Sequence, residues 1–160
     1  LLVVGGGIAL SKAFKSSGLA DWVGSFSSFF YGVEIYLLIL FFVFLIIFLT
    51  ELNSNTATVA TFAPILIVFA LGLETNPLYF VIPTTIASSC AFMLPIATPP
   101  NAVIFGSGKI SINDMIRPGI FLNIASAIIV TALCFFILNL IKKFIWLKKL
   151  LKKLQVILQN

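Results

Sequence analysis

The chain has 160 residues, of which 61% are hydrophobic and only 9% are charged, and its formal net charge is +5. Soluble globular chains are about half apolar and about a quarter charged. This composition therefore excludes an ordinary cytosolic domain, a disordered tail and a nucleic-acid-binding module. The mean hydropathy of +1.18 predicts instead an all-α polytopic membrane protein.

The positive charge belongs to one end of the chain. Six lysines lie within residues 142–160, whereas residues 1–141 carry four basic and five acidic groups and so have a net charge of −1. In 142–160 the lysines stand in pairs between apolar residues at helical spacing, which predicts a basic amphipathic helix at a bilayer surface. The positive-inside rule would place this tail in the cytoplasm.

The first thirty residues predict two short elements. Residues 1–14 are typical of the end of a membrane helix, in which the three glycines at 5–7 allow close backbone approach. Residues 19–30 predict a short interfacial helix with Trp22 as its anchor. Because the chain opens with Leu1 inside an apolar run, we expect it to be the C-terminal part of a longer protein.

Residues 33–73 predict a helical hairpin. Two apolar arms, 35–49 and 57–73, flank a mostly polar segment, 50–56, that contains no Lys or Arg. A solvent loop of a membrane protein usually has more charge or more Gly and Pro. We therefore expect a re-entrant hairpin whose tip, 50–56, lies within the membrane, where protein or a water-filled cavity must cover the freed backbone groups.

Residues 78–108 predict a discontinuous transmembrane helix. Three prolines fall within the segment 95–100, and each of them removes an N–H donor and clashes with the preceding turn. We expect a first half-helix that ends at Leu94, an unwound linker at 95–100, and a second half-helix with Asn101 as its N-cap.

Residues 118–141 predict a complete transmembrane helix that begins at Pro118, a residue that suits a first helical turn. The two cysteines, Cys90 and Cys134, lie in separate apolar segments. We interpret them as small buried residues, because a disulfide framework or a metal site needs more cysteines at closer spacing.

The two polar breaks, at the hairpin tip and in the broken helix, are the candidate site. Secondary transporters bind ions and anions near the membrane midplane, where half-helix N-termini and freed carbonyl groups meet. Ser54, Asn55, Thr56 and Thr98 supply neutral hydroxyl and amide groups for a carboxylate. Since neither segment contains Lys or Arg, we expect helix dipoles and a co-bound cation to neutralise a bound anion.

Three features of these segments have plainer interpretations. Ser54, Asn55 and Thr56 could cap a helix as well as bind a ligand, and Thr98 could be only a turn residue. Glu51 is an acidic group at membrane depth, and we expect it to point away from an anion and to cap or pair locally.

Three ordered motifs resemble the divalent anion:sodium symporters, the family of sodium-coupled dicarboxylate, citrate and sulfate transporters. The hairpin tip resembles the family's Ser-Asn-Thr motif, and the run from Phe92 to Ala102 resembles its broken-helix signature. The glycine-rich start of the chain is similar to the helix before the hairpin. The resemblance covers about residues 1–140.

This resemblance implies the C-terminal half of an inverted-repeat, homodimeric symporter that works by an elevator mechanism in the plasma membrane or a bacterial inner membrane. The partner hairpin with its own sodium site would lie in the other half. It implies substrate contacts from Ser54, Asn55, Thr56, Thr98 and Pro99. It also implies a sodium site formed by Thr50, Ser54, Asn55 and the carbonyl of Ala97. The C-terminus would then lie outside the cell, in conflict with the positive-inside rule.

The expected function is thus sodium-coupled symport of a succinate-like or citrate-like anion, with Na⁺ as the coupling ion, no cofactor and no nucleic-acid partner. Carriage of sulfate or arsenite, or a role as a non-transporting scaffold subunit, remain as alternatives. The absence of His and of paired carboxylates in any apolar span argues against an enzyme.

Overall fold

The computed structural model describes Ala9, Ala13 and residues 16–158. Apart from Ala9 and Ala13, the helix end predicted for 1–14 lies outside the described residues. Regular structure in the described part of the chain is entirely helical, in agreement with the predicted all-α class. The helices are α1 (Leu19–Ser27, followed by the 3₁₀ turn Ser28–Phe30), α2 (Ile35–Thr50), α3 (Asn55–Gly72), α4 (Leu78–Ala87), α5 (Pro99–Gly106) and α6 (Ile112–Leu158).

Helix α4 lies at the centre of the packing and contacts α2, α3 and α6, while α1 packs on α3 and α2 packs on α6. Phe80 of α4 is fully buried, and its ring meets those of Phe42 and Phe69 at centroid distances of 5.8 and 5.6 Å. Such edge-on aromatic contacts stabilise a core beyond the area they bury. The two arms of the hairpin, α2 and α3, are therefore held together largely through α4.

A four-residue turn, 51–54, joins α2 to α3, so the non-helical tip is shorter than the predicted segment 50–56. Thr50 still belongs to α2, and Asn55 and Thr56 already belong to α3. The Tyr31 hydroxyl, in the turn before α2, donates to the carbonyl of Gly72 at 2.9 Å, which ties the two ends of the hairpin together away from the tip.

The break between α4 and α5 is longer than predicted. Helix α4 ends at Ala87 rather than at Leu94, and α5 begins at Pro99, so the linker comprises residues 88–98 rather than 95–100. With ten residues α4 is only about 15 Å long, roughly half the hydrocarbon core of a bilayer. The prolines explain only the end of this linker. At its start, the N–H groups of Ser89 and Cys90 donate to carbonyls three residues earlier, at 3.1 and 2.9 Å, instead of continuing the α-helical pattern.

Helix α6 begins at Ile112, six residues before the predicted start at Pro118. The reason is a capping arrangement at its N-terminus: the backbone N–H of Ser111 donates to the Asp114 carboxylate at 3.0 Å, and the Asp114 N–H donates to the Ser111 hydroxyl at 3.3 Å. The helix then continues without a break through the predicted boundary at 141 to Leu158, as one element of 47 residues.

Two helical stretches, Asn55–Gly72 and Ile112–Ile141, are long and apolar enough to cross a membrane. Only 22% of each apolar window is buried inside the molecule, so most of these side chains are at least partly exposed. Phe121 and Phe136 of α6 are among them. An outward apolar surface of this extent suits contact with lipid or with further protein. Both cysteines are free thiols; Cys134 is buried, as predicted, whereas Cys90 is only half-buried.

Candidate functional site

A cavity of about 540 Å³ lies between the hairpin tip and the linker. This volume is in the range of small-ligand sites. Six of the seven predicted site residues line the cavity, together with Pro95, Ile96 and Ala102. The six are Ser54, Asn55, Thr56, Ala97, Thr98 and Pro99. The seventh, Thr50, is fully buried and is not part of the lining.

The N-terminus of α3 opens at this cavity through Ser54, Asn55 and Thr56. The first bond within the helix runs from the Thr58 N–H to the Ser54 carbonyl at 2.9 Å, and the Ser54 side chain makes no capping bond. The N–H groups ahead of Thr58 therefore have no partner within the helix. The interpretation of this motif as a side-chain cap is wrong for Ser54. The exposed Ser54 and Thr56 hydroxyls can serve a ligand instead.

The N-terminus of α5 opens at the same cavity with a different chemistry. Thr98, rather than Asn101, is the N-cap, and its Oγ1 accepts from the Asn101 N–H at 3.4 Å. Pro99 and Pro100 occupy the first two helical positions and have no N–H to offer. This end of the cavity thus supplies a positive helix dipole and the proton of the Thr98 hydroxyl, which capping leaves available.

The side chain of Asn101 forms hydrogen bonds with the linker and does not cap the end of the helix. Its side-chain amide donates to the carbonyls of Ala91 and Leu94, both at 3.1 Å. The prediction of an Asn101 cap is therefore wrong, because the hydroxyl that precedes the two prolines already caps α5. The amide satisfies two carbonyls that the unwound backbone leaves without helical partners.

Three oxygen atoms converge behind the hairpin tip. The Oγ1 atom of Thr50 lies 2.8 Å from Oδ1 of Asn55 and 2.9 Å from the carbonyl oxygen of Ser88. A threonine hydroxyl has one proton and can donate to only one of these acceptors at a time. Hydroxyl, amide and carbonyl oxygens are the ligands of hard cations. Ser88 was not predicted, since a backbone carbonyl leaves no signal in the residue type.

Glu51 lies beneath the linker and not in the cavity lining. Its carboxylate is 2% exposed and accepts hydrogen bonds from the backbone N–H groups of Phe92, Met93 and Leu94 at 2.8, 2.9 and 2.9 Å. The side-chain amide of Asn123 on α6 donates to the same carboxylate at 2.7 Å. Glu51 is thus not part of the cavity lining, as expected, but its partners lie 41 to 72 positions further along the chain and are not the local ones that were predicted.

Comparison with known proteins shows the family of this chain. Residues 1–142 match the family described as the sodium:sulfate symporter transmembrane region. The chain belongs to this family. It therefore derives from an integral membrane protein, and the resemblance to divalent anion:sodium symporters is confirmed.

Two curated relatives are named as sodium-dependent dicarboxylate transporters. A sodium-dependent dicarboxylate transporter of Staphylococcus saprophyticus is 39% identical over 137 residues, which is 86% of this chain and 26% of the relative. The transporter of the same name from Staphylococcus aureus is 42% identical over 141 residues, 88% of this chain and 27% of that protein. The chain spans about a quarter of the length of the relatives it matches. The matched part of this symporter-family chain contains both the hairpin tip and the linker, between which the cavity lies.

Proposed function

We propose that this chain is part of the C-terminal half of a sodium-coupled symporter for dicarboxylates or tricarboxylates such as succinate or citrate. The observation that supports this most is the cavity, which two helix N-termini approach and whose described lining contains hydroxyl, amide and apolar groups but no charge. Such a site suits a small anion whose oxygens accept hydrogen bonds. The staphylococcal relatives, which are named as sodium-dependent dicarboxylate transporters, point to the same class of substrate.

The electrostatic balance of the cavity favours coupling to a cation. Each helix N-terminus is equivalent to about half a positive charge, so α3 and α5 together supply about one. A dicarboxylate brings about two negative charges, and no Lys or Arg lies between residues 35 and 108 to balance the second. A co-bound cation would balance this second charge, and oxygen ligands favour a hard cation such as Na⁺ over a softer metal.

The roles follow from the positions of the groups. Ser54, Asn55, Thr56, Thr98 and Pro99 would face the substrate carboxylate. The sodium site would combine Thr50, Ser54, Asn55 and the carbonyl of Ala97, to which we add the carbonyl of Ser88 because it lies 2.9 Å from the Thr50 hydroxyl. The carbonyl of a helix end and the oxygens of an unwound segment are the usual sodium ligands of secondary transporters.

The remaining features of the proposal concern the whole carrier. We take α2 and α3 as a re-entrant hairpin, and α4 and α5 as two halves of one broken helix, because α4 and α5 are too short to span a bilayer. The rest of the carrier would supply the inverted repeat, with a second hairpin and sodium site. A homodimer whose cavity-bearing half moves across the membrane as an elevator completes the proposal.

Uptake of labelled succinate into proteoliposomes that contain the complete carrier tests the function. We expect uptake under an inward Na⁺ gradient and none with choline, and we expect Thr56→Ala to abolish it. Thr85→Ala is a matched control, since the Thr85 hydroxyl is exposed and donates within its own helix to the carbonyl of Val81. A scaffold subunit would show no Na⁺-dependent uptake, whichever threonine is present.

Sulfate is the second candidate substrate, because the family description names it. The same hydroxyl and amide groups can bind a sulfate oxygen. Competition of labelled succinate uptake by unlabelled citrate and sulfate ranks the three anions. Inhibition by sulfate alone, together with Na⁺-dependent sulfate uptake that exceeds succinate uptake, would replace the dicarboxylate by sulfate.

A further inference from the structure

Glu51 is a charged residue in an otherwise uncharged part of the chain. Glu51 is the only charged residue between 35 and 73, and no charged residue lies in 75–108 or in 118–141. Its buried carboxylate nevertheless accepts four hydrogen bonds, all from neutral donors: three consecutive backbone N–H groups and one side-chain amide. An ionised carboxylate is an acceptor-only group and suits a site with donors alone.

We propose that Glu51 is a positioning residue for the sodium site, because it withdraws the Phe92 N–H from a helical bond and thereby frees the carbonyl of Ser88. This inference rests on the proposed function. In a continuous helix the N–H of Phe92 would donate to the carbonyl four residues earlier, which is Ser88. Here the N–H donates to Glu51 at 2.8 Å, and the Ser88 carbonyl accepts from the Thr50 hydroxyl at 2.9 Å.

The helical hydrogen bond from the Phe92 N–H to the Ser88 carbonyl is thus replaced by two others. Its donor binds Glu51, and its acceptor binds Thr50. These two residues are neighbours at the end of α2, so the hairpin tip itself opens the helix opposite it. The N–H groups of Met93 and Leu94 also donate to Glu51, which withdraws them from the carbonyls of Ser89 and Cys90. The linker begins at 88, seven residues before Pro95. The Ser89 and Cys90 N–H groups donate to carbonyls three residues earlier, at 3.1 and 2.9 Å, and Glu51 then takes the donors of the following turn, so the helix does not resume.

Helix α6 fixes this arrangement from the other side. Asn123 is fully buried, donates to Oε1 of Glu51 at 2.7 Å and accepts from the Phe92 N–H at 3.2 Å. One turn earlier, Gly119 packs directly on the linker: a Cβ atom there would lie 2.7 Å from the Cα of Met93. The carboxylate and the linker are thus held between α2 and α6, and Asn123 reinforces the same N–H group that Glu51 captures.

The test is a set of variants of the complete carrier in proteoliposomes, with uptake measured per folded carrier as a function of Na⁺. Glu51→Gln places an amide donor among four donors, and we expect the Na⁺ concentration for half-maximal uptake to rise at least about tenfold. The double variant Glu51→Gln, Asn123→Asp restores a carboxylate that can accept from Phe92 and from the Gln amide. We expect it to recover Na⁺ dependence to within about threefold of the wild type. Glu34→Gln, at an exposed carboxylate before α2, is the control and should change nothing.

The outcomes separate the inference from the proposed function. If the wild-type carrier shows no Na⁺-dependent uptake, the proposed function fails and this inference fails with it. If the wild type transports but folded Glu51→Gln keeps the wild-type Na⁺ dependence, only the inference is overturned. A residue needed merely for folding would reduce the amount of carrier without changing the half-maximal Na⁺ concentration. Should Glu51→Gln not fold, the folded double variant decides: restored Na⁺ dependence supports the positioning role, and its absence overturns it.

Discussion

The Thr50 hydroxyl lies 2.8 Å from Oδ1 of Asn55 and so joins the last residue of α2 to the first residue of α3. The turn 51–54 is closed by this contact. Because Asn55 also lines the cavity, the proposed anion and sodium sites share its side chain, as they share Ser54. Occupation of one site would order the side chain that the other site needs, a direct physical basis for coupled binding.

Replacement of Thr50 by Val should weaken Na⁺ binding more than substrate binding. The change keeps the shape of the side chain but leaves Oδ1 of Asn55 and the carbonyl of Ser88 without the hydroxyl, at a cost of about 1–3 kcal/mol. Succinate uptake at varied Na⁺ should show a higher half-maximal Na⁺ concentration, with uptake largely recovered at saturating Na⁺. Thr85→Val, whose hydroxyl donates within its own helix, is the control. Equal Na⁺ dependence in both variants would remove Thr50 from the site.

Thr98→Asp separates the capping role of Thr98 from its proposed substrate contact. Aspartate is as good an N-cap as threonine or better, so α5 should remain as stable as in the wild type. A negative charge at the cavity should, however, repel a bound anion and abolish succinate uptake. Thermal unfolding in detergent checks the first expectation and uptake checks the second. Thr98→Ser, which keeps both the cap and the hydroxyl, should transport; uptake by Thr98→Asp would limit Thr98 to capping.

Much of the fold is predictable from where charge and apolar sequence alternate. The start of α2 at Ile35 and the end of α3 at Gly72 fall within one residue of the boundaries of the predicted apolar arms. The break between α4 and α5 was recognised through its prolines. Its extent was not, because the segment 88–94 contains no helix breaker, and the carboxylate that accepts from the N–H groups of Phe92, Met93 and Leu94 comes from a residue more than forty positions earlier.

The site, like the fold, was predicted only in part. The polarity of the Ser-Asn-Thr tip and of Thr98 identified four cavity residues, because polar side chains are unusual in an apolar chain, whereas Ala97 and Pro99 were predicted only from the family resemblance. The roles of Asn101 and Asn123 could not be predicted, since both asparagines act on backbone groups that only the folded chain brings near. For the cap of α5, a signal existed: Thr98 directly precedes two prolines, which are typical of the first positions of a helix.

Gly119→Ala should destabilise the protein and impair transport, although it adds only a methyl group. A Cβ atom at this position would lie 2.7 Å from the Cα of Met93 and from the carbonyl oxygen of Phe92, and these backbone atoms cannot yield without a shift of the linker. Overpacking of this kind costs about 1–3 kcal/mol. Thermal unfolding should show a lower Tm. Gly106→Ala is the matched control, because nothing lies within 4 Å of its Cβ, and its Tm should be unchanged or slightly higher. Equal Tm values for the two variants would contradict the close packing of α6 on the linker.

Thr131→Val should stabilise the protein slightly. Thr131 lies on the buried face of α6, and its Oγ1 atom has no hydrogen-bond partner within the described part of the chain. A buried hydroxyl without a partner is unfavourable, and its replacement by a methyl group of similar size should raise the free energy of unfolding by up to about 1 kcal/mol. Thr84→Val is the matched comparison, since the equally buried Thr84 hydroxyl donates to the carbonyl of Phe80 at 2.6 Å and its loss should bring no gain. If Thr131→Val lowers the Tm more than Thr84→Val in the complete carrier, the Thr131 hydroxyl has a partner supplied by the rest of the protein.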